Sequence, residues 1–243
     1  GVTRMRELFA LGGFPRAWTS SLAKFAAQCG ITLLSTPFSV NAARFLVEEI
    51  GVPALKIASG DLTFTPLLEY AASTGLPLLV STGGATAQEI RDACDCIERA
   101  WPGSFDQFTM AFFHCVSVYP CPTSLVNLRA IRAVDRACHA WPVGFSDHTL
   151  SVDVVPALAL ACGATLYEKH LRLADDTASV DAQHSLSPTQ FATMMQVIRD
   201  VPSILGVEQK APQALELHDR VWARRDPSDW LRPTRAGREG AWL

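Results

Sequence analysis

The sequence predicts an α/β protein of the TIM-type (β/α)8 barrel class that lacks the first two βα units. Three observations predict it: β-rich runs alternate with helical stretches, glycines precede several of the strands, and polar residues follow them. Six strands are predicted, at Ile31–Ser35, Leu55–Ala58, Leu78–Ser81, Phe108–Val116, Val143–Phe145 and Thr165–His170.

The segments between these strands repeat apolar residues at intervals of three and four, which predicts amphipathic helices. Gly51, Gly75 and Gly163 each follow such a segment, where a left-handed residue commonly ends a helix. The predicted helices are Thr19–Gly30, Ala42–Ile50, Leu67–Thr74, Ala87–Ala100, Leu128–Ala140, Val152–Cys162 and Pro188–Val201.

The domain organisation follows from the strand count. A closed barrel needs eight strands, and residues 1–17 contain no convincing strand pair. We therefore expect residues 1–207 to form an N-terminally incomplete barrel core. Residues 208–243 are rich in Pro, Arg and Trp, which is typical of a linker.

Composition excludes several classes of protein. The net charge of −3, with 21 Lys and Arg, gives no positive excess for binding nucleic acid. The longest mostly apolar stretch, Val154–Tyr167, is shorter than the roughly 20 residues of a membrane span. The seven cysteines are an odd number and are scattered, which favours reduced thiols and a cytoplasmic location.

Two histidines follow successive predicted strands, and they suggest a metal site. Neighbouring parallel strands lie about 4.8 Å apart, so the imidazoles of His148 and His170 can reach one ion. Two such ligands with open positions suit a divalent Lewis acid such as Mn²⁺, Fe²⁺, Co²⁺ or Zn²⁺. The alternative is that they are two unrelated polar residues at strand ends.

Lys56 lies within an otherwise apolar strand, where an ammonium group needs an anionic partner. Ser59, Ser81 and Ser146 at other strand ends could add hydroxyl donors and complete a cradle for a phosphorylated substrate. In the alternative interpretation, the lysine extends to the rim of the sheet and the serines cap helices.

Four other residues offer acid–base groups. Asp61 and Asp181 are candidates for proton transfer or hydroxyl binding, although Asp61 also suits a turn. Asp147 could orient His148. His114 is interpreted as a core histidine that satisfies a hydrogen bond.

An ordered set of motifs resembles the sialic acid synthase family. The set spans roughly Thr32 to Asp200, and no single motif carries the resemblance. Its motifs are Ser35-Thr36-Pro37-Phe38, Lys56-Ile57-Ala58-Ser59-Gly60-Asp61, Ser81-Thr82-Gly83, His114-Cys115-Val116-Ser117-Val118-Tyr119-Pro120, Gly144-Phe145-Ser146-Asp147-His148-Thr149 and Glu168-Lys169-His170.

The resemblance implies condensation of phosphoenolpyruvate with an N-acylated hexosamine aldehyde of the N-acetylmannosamine type, giving a nonulosonic acid and phosphate. It implies His148 and His170 as ligands of a divalent metal, most commonly Mn²⁺, with Mg²⁺ or Co²⁺ as alternatives. Asp61 and Asp181 would be the active-site carboxylates. Residues that match positions holding phosphoenolpyruvate in the family are Lys56, Ser59, Ser81, Ser117, Tyr119 and Ser146.

The sequence departs from the family pattern at several points. Asp61 stands where the family usually has Glu, and Gly84 stands where Met is usual. From the sequence, we expect no counterpart in residues 1–243 of the family's first two strands, which supply another Glu and Lys. We likewise expect the C-terminal antifreeze-like domain, which in the family reaches across a homodimer, to be essentially absent from these residues.

Two other functions remain open from the sequence. A non-catalytic barrel that binds a sugar phosphate or acts as a scaffold would explain the missing strands and the Asp61 departure. An aldolase that uses Lys56 as a Schiff-base nucleophile would explain a lysine within an apolar strand.

Overall fold

A computed structural model describes residues 15–103, 109–174 and 179–240. The chain divides into two compact units, with the boundary between Ile204 and Leu205. The first unit contains all five strands found in these ranges, and it carries the residues singled out from the sequence.

The first unit is built on one parallel sheet that curls into a half-barrel. Every neighbouring pair of strands is parallel, and the spatial order follows the chain order. This confirms the predicted parallel α/β arrangement; Phe108, the predicted start of one strand, lies outside the described residues. The strands are β1 (Leu55–Ile57), β2 (Leu78–Ser81), β3 (Met110–Cys115), β4 (Val143–Asp147) and β5 (Tyr167–Lys169).

The predicted strand Ile31–Ser35 is wrong. These residues form neither helix nor strand, and within the described ranges no strand pairs with them. The apolar run resembled a buried strand, yet Ile31 is 66% exposed. A β-strand is defined by ladder hydrogen bonds to a neighbour, which a run of β-branched and apolar residues cannot supply by itself.

Helices connect successive strands, as the periodicity predicts, with end points that differ by a few residues. The second helix continues as a π-helical segment over Phe45–Ile50. The α-helices are α1 (Arg16–Gln28), α2 (Val40–Arg44), α3 (Thr65–Ser73), α4 (Ala87–Ala100), α5 (Ile131–Ala137), α6 (Val154–Ala161), α7 (Pro188–Leu205), α8 (Ala214–Ala223) and α9 (Arg235–Arg238).

Local sequence explains where several of these helices begin and end. At the start of α4 the Thr86 side chain accepts a hydrogen bond from the Glu89 backbone, and the Glu89 carboxylate accepts one from the Thr86 backbone. Gly51, Gly75 and Gly163 have φ values of 72°, 73° and 102°, so all three predicted left-handed stops are confirmed.

Successive residues of each strand point to opposite sides of the sheet, which gives it two chemically different faces. The helix face is covered by α-helices and carries the fully buried side chains of the strands. The cavity face carries polar residues towards the strand ends. Fully buried residues of the helix face include Leu55, Ile57, Leu78, Val80, Phe112 and Phe145.

The second unit contains α8 and α9. Asp226 organises it by accepting hydrogen bonds from the Ser228 backbone, the Ser228 hydroxyl and the Arg235 backbone. None of the helices within the described ranges is both long enough and apolar enough to cross a lipid bilayer.

Candidate functional site

A cavity of about 170 Å³ opens at the carboxyl ends of the five strands. This is the end of a parallel α/β sheet at which ligands are usually bound. Most of the lining is polar and comes from strand ends and the turns that follow them. The lining residues are Thr36, Phe38, Lys56, Ala58, Ser59, Ser81, Cys115, Tyr119, Ser146, His148, Glu168 and His170.

Lys56 projects from β1 onto the cavity face. Its Nζ donates a hydrogen bond to the Ser81 hydroxyl at 2.5 Å and lies 3.4 Å from the Glu168 carboxylate. Glu168 also accepts a hydrogen bond from Ser146 at 2.6 Å. These contacts confirm that the lysine has an anionic partner, and they link side chains from β1, β2, β4 and β5.

Gly83 brings the backbone unusually close to this group. Its N–H donates to the Ser59 hydroxyl at 2.9 Å. A Cβ atom at this position would collide with the side chains of Ser117, Ser59 and Cys115, so only glycine fits. The turn after β2 therefore delivers a backbone amide to the predicted phosphate cradle.

His148 follows β4 and is buried, with 5% exposure. Its Nδ1 donates to the carbonyl of Val116 at 2.7 Å, because a carbonyl can only accept. This bond fixes the tautomer and leaves Nε2 as the nitrogen with a free lone pair. Burial lowers the pKa of His148, so the ring is neutral near pH 7.

His170 follows β5, and its ring centre lies 5.5 Å from that of His148. The sequence prediction that these two imidazoles share one end of the sheet is thus confirmed. Burial also lowers the pKa of His170, which favours the neutral ring that a metal requires. Its Nδ1 lies 3.5 Å from the Asp181 carboxylate.

A third imidazole, from His184, joins this group. Its ring centre lies 4.6 Å from that of His170, and its Nε2 lies 3.5 Å from Asp181. The side chain is 6% exposed, and Nε2 finds no hydrogen-bond partner among the described residues. A buried, unpaired ring nitrogen is costly unless a ligand satisfies it.

Tyr119 packs between the three imidazoles. Its ring centre lies 4.2 Å from that of His148, 4.9 Å from that of His184 and 6.3 Å from that of His170. Burial raises the pKa of its phenol, so the hydroxyl stays protonated and can donate a hydrogen bond. Ser117 lies beside this hydroxyl and beside Gly83, although it does not line the cavity.

Asp147 does not orient His148, contrary to one interpretation of the sequence. It lies on the helix face, where it accepts hydrogen bonds from the Thr149 backbone and from Tyr167, both at 2.7 Å. It also forms a salt bridge of 3.0 Å with Lys169, and both side chains are almost completely buried. The alternation of the strand explains the correction: Ser146 faces the cavity, so Asp147 faces away.

Two further sequence interpretations have clear outcomes. His114 is buried, and its Nε2 forms a hydrogen bond of 2.8 Å with the Val126 carbonyl. This confirms it as a core histidine. Asp61 follows β1 but is not among the cavity-lining residues. Its Oδ2 is buried without a hydrogen-bond partner in the described ranges, and burial raises its pKa.

Two residues that bring a carboxylate or an imidazole to the site, Glu168 and His184, were not singled out from the sequence. Glu168 could have been found, because it precedes His170 by two residues in the same run and must therefore share its face. His184 has no such signal in the sequence, since it lies in a three-residue 3-10 helix, Ala182–His184, with no repeating pattern. Its position depends on how the chain returns after β5.

The donor set fits a divalent metal ion. His170, Asp181 and His184 each offer a ligand atom, and these atoms lie within 4.8 Å of one another. His148 adds a free Nε2 nearby. Imidazole and carboxylate ligands of this kind suit borderline ions such as Mn²⁺, Fe²⁺, Co²⁺ or Zn²⁺.

Several known proteins are similar to this chain in sequence and in fold. The N,N'-diacetyllegionaminic acid synthase of Legionella pneumophila is 37% identical over 204 residues, which make up 84% of this chain and 56% of that protein. The pseudaminic acid synthase of Helicobacter pylori is 31% identical over 220 residues, which make up 90% and 62%. The crystal structure of N-acetylneuraminic acid synthetase from Leptospira borgpetersenii, in complex with citrate, has a TM-score of 0.76 and 32% identity, and the match covers 85% of this chain and 69% of that one.

The chain spans little more than half the length of the Legionella protein. Residues 3–210 match the family described as the NeuB family, and this range contains the whole cavity and all three histidines of the site. The resemblance to sialic acid synthases is confirmed, and the chain belongs to the NeuB family.

Proposed function

We propose that this chain is the catalytic core of a metal-dependent synthase that condenses phosphoenolpyruvate with an N-acylated hexosamine aldehyde. The products would be a nonulosonic acid of the sialic type and inorganic phosphate. One observation carries the proposal: a lysine with a ring of hydroxyl groups lies in the same cavity as two neutral imidazoles at the strand ends. The relatives named above are synthases of acids of this class.

The lysine side of the cavity is suited to phosphoenolpyruvate, which carries a phosphate and a carboxylate. Lys56 supplies the positive charge, and Ser59, Ser81 and Ser146 supply hydroxyl donors. The 3.4 Å distance between Lys56 and Glu168 is long enough for an incoming anion to compete for the ammonium. Ser117 and Tyr119 are proposed to hold the remaining oxygens.

The histidine side is suited to the metal. His148 and His170 would hold it, with Asp181 and the unpaired Nε2 of His184 as further donors. When bound, a divalent ion supplies Lewis-acid polarisation of an aldehyde oxygen. We propose Mn²⁺ as the physiological ion, with Mg²⁺ and Co²⁺ as alternatives.

The proposed reaction balances as follows. The terminal carbon of phosphoenolpyruvate bonds to the aldehyde carbon, whose oxygen takes up a proton. Water adds to the cationic carbon left behind and loses a proton. The bond from this carbon to the phosphate oxygen then breaks, the new hydroxyl group loses its proton and becomes the keto group, and inorganic phosphate leaves with a proton. Lys56 stabilises the phosphate charge throughout, while Asp61 and Asp181 are the proposed carboxylates for proton transfer and hydroxyl binding.

The proposal extends to the architecture, the location and the oligomeric state of the complete protein. We propose that the complete protein forms a full (β/α)8 barrel, with residues 1–207 as core and 208–243 leading to a further domain. We also propose a cytoplasmic homodimer that binds neither nucleic acid nor membranes.

The Schiff-base alternative makes a different prediction. Lys56 Nζ contacts the Glu168 carboxylate and the Ser81 hydroxyl, and a Schiff base with a substrate carbonyl would disrupt both contacts. Borohydride reduction in the presence of a keto acid should leave Lys56 unmodified. A stable adduct on Lys56, identified by mass spectrometry, would establish the aldolase instead.

The decisive assay for the proposed function is phosphate release from phosphoenolpyruvate by the full-length protein. We expect release only when an N-acylated hexosamine and a divalent metal are both present, because the cation that water attacks forms after carbon–carbon bonding. A panel of acceptors, beginning with N-acetylmannosamine, identifies the sugar. Release without any acceptor, or binding of phosphoenolpyruvate with no release under any condition, would favour a phosphatase or a non-catalytic barrel.

A further inference from the structure

A second group of metal-ligating side chains lies at the opposite end of the sheet, where the strands begin. Cys94 and Glu98 are one helical turn apart on α4, and His139 lies in the turn between α5 and β4. None of the three residues lines the cavity described above. Cys94 is fully buried, whereas His139 reaches solvent.

The three potential ligand atoms form a compact triangle. Cys94 Sγ lies 3.7 Å from His139 Nδ1 and 3.4 Å from Glu98 Oε1. His139 Nδ1 lies 3.4 Å from the same Glu98 oxygen. Around a tetrahedral zinc ion, with Zn–S near 2.3 Å and Zn–N or Zn–O near 2.0–2.1 Å, such ligand atoms are about 3.3–3.6 Å apart.

We propose that Cys94, Glu98 and His139 form a site for a zinc-class divalent ion, with the fourth position open to solvent. One thiolate, one imidazole and one carboxylate are ligands that zinc accepts in tetrahedral sites. The observed separations match those of a tetrahedral face to within a few tenths of an ångström.

Neighbouring polar groups orient the proposed ligands, as is usual for metal ligands in proteins. The other ring nitrogen of His139 faces the Asp95 carboxylate at 3.6 Å, which favours the tautomer with a free Nδ1. Trp141 donates a hydrogen bond of 2.9 Å to Glu98 Oε1 and fixes that carboxylate. Two neighbours therefore hold the imidazole and the carboxylate in place.

The backbone of the turn gives a second, independent observation. His139 and Ala140 both have left-handed conformations, with φ values of 54° and 64°. Residues other than glycine rarely adopt this region, and such strain persists when other contacts hold it. The strained turn places the imidazole against α4, where a bound ion would connect it to Cys94 and Glu98.

A network of hydrogen bonds without metal is the competing explanation for the same distances. Burial raises the pKa of the Cys94 thiol, so an ion must displace a proton to bind there. The proposed ion would tie α4 to the segment entering β4. It would therefore stabilise the fold and would not take part in the reaction at the other end of the sheet.

Cobalt titration of the metal-free protein tests the proposal directly, because thiolate ligation gives a near-ultraviolet charge-transfer band that histidine and carboxylate ligation cannot give. We expect one Co²⁺ per chain with this band in the wild type, displaced by Zn²⁺. The band should disappear in C94S and in His139→Asn, a change that suits the left-handed backbone and keeps the turn. Asp95→Asn should weaken binding by about tenfold or more.

Two controls separate this site from other cysteines and from the cavity. C96S changes a buried cysteine on the same helix that lies outside the triangle, and it should keep the band. The double variant His148→Ala/His170→Ala should also keep it, so failure of the proposed catalytic metal site would leave this result unaffected. Absence of the band in the wild type, or its persistence in either C94S or His139→Asn, would overturn the proposal.

Discussion

Two lysine–carboxylate pairs lie on opposite faces of the same sheet and differ in how completely they are paired. On the helix face, Lys169 and Asp147 are 3.0 Å apart and buried, and Asp147 is further bonded by Tyr167 and Thr149. On the cavity face, Lys56 and Glu168 are 3.4 Å apart, and Glu168 is 41% exposed. The first pair has its hydrogen bonds saturated by the protein, whereas the second retains capacity for a ligand.

This difference separates a structural role from a functional one. A buried charge must be paired by the protein itself, because no water reaches it. A charge in an open cavity can exchange its partner for a substrate at little cost. We therefore expect changes on the helix face to act on stability and changes on the cavity face to act on binding.

The largest expected effect is on stability and comes from the helix face. Asp147→Ala should lower the free energy of unfolding by about 3–5 kcal/mol, because it leaves the Lys169 ammonium buried without its counter-charge. Urea denaturation measures the loss. E168Q on the cavity face is the matched control and should cost at most about 1 kcal/mol.

A double variant sharpens the same test. Asp147→Leu with Lys169→Met removes both charges and should recover most of the stability lost in Asp147→Ala. If E168Q destabilises the protein as much as Asp147→Ala, the distinction between the two pairs is wrong.

Replacing the cavity lysine should act on ligand affinity instead. We expect Lys56→Met to weaken phosphoenolpyruvate binding by about a hundredfold, or about 2.7 kcal/mol, because the phosphate loses its charged partner. Isothermal titration measures the affinity, and urea denaturation should show a change of no more than about 1 kcal/mol. Pyruvate binding as tightly as phosphoenolpyruvate in the wild type would show that no phosphate cradle exists.

Two glycines offer a smaller and more local test of the cavity. A Cβ at Gly83 would collide with the side chains of Ser117, Ser59 and Cys115, whereas at Gly60 it would meet open space. Gly83→Ala should therefore cost about 1–3 kcal/mol of stability and weaken phosphoenolpyruvate binding. G60A, in the turn after β1, should leave both unchanged. Equal affinities in the two variants would argue against a role for the close approach of Gly83 to Ser59 in phosphoenolpyruvate binding.

Replacement of the His184 imidazole should have the smallest effect and should act on metal affinity. In a C94S background, His184→Ala should weaken the affinity of the cavity for Mn²⁺ by about tenfold, since a nearby donor is lost. H218A, which changes an exposed histidine of the second unit, is the control. Mn²⁺ affinity that is unchanged in His184→Ala would exclude this imidazole as a donor.

The sequence predicted those parts of the molecule that depend on local pattern. The alternation of strands and helices, the left-handed glycines and the positions of His148 and His170 all follow from periodicities along the chain. The predicted strand Ile31–Ser35 was wrong because its composition suits a strand but no strand of residues 15–103, 109–174 or 179–240 pairs with it. The predicted role of Asp147 was wrong because the alternation of β4 places this side chain on the helix face, one residue after Ser146.

Contacts between distant segments could not be predicted in the same way. His184 packs against His170 from a short 3-10 helix, and His139 meets Cys94 across 45 residues of sequence. Their positions depend on how the loops pack against the finished sheet. Neither residue lies in a repeating pattern that indicates its partner.

The most direct test of the central claim uses phosphoenolpyruvate labelled with ¹⁸O at the oxygen between carbon and phosphorus. The full-length protein is supplied with this substrate, the preferred amino sugar and a divalent metal, and both products are examined by mass spectrometry. Condensation at the cavity face predicts that the label leaves in the inorganic phosphate, because the bond from carbon to this oxygen breaks. Retention of the label in the sugar acid would mean attack at phosphorus and would contradict the proposed reaction.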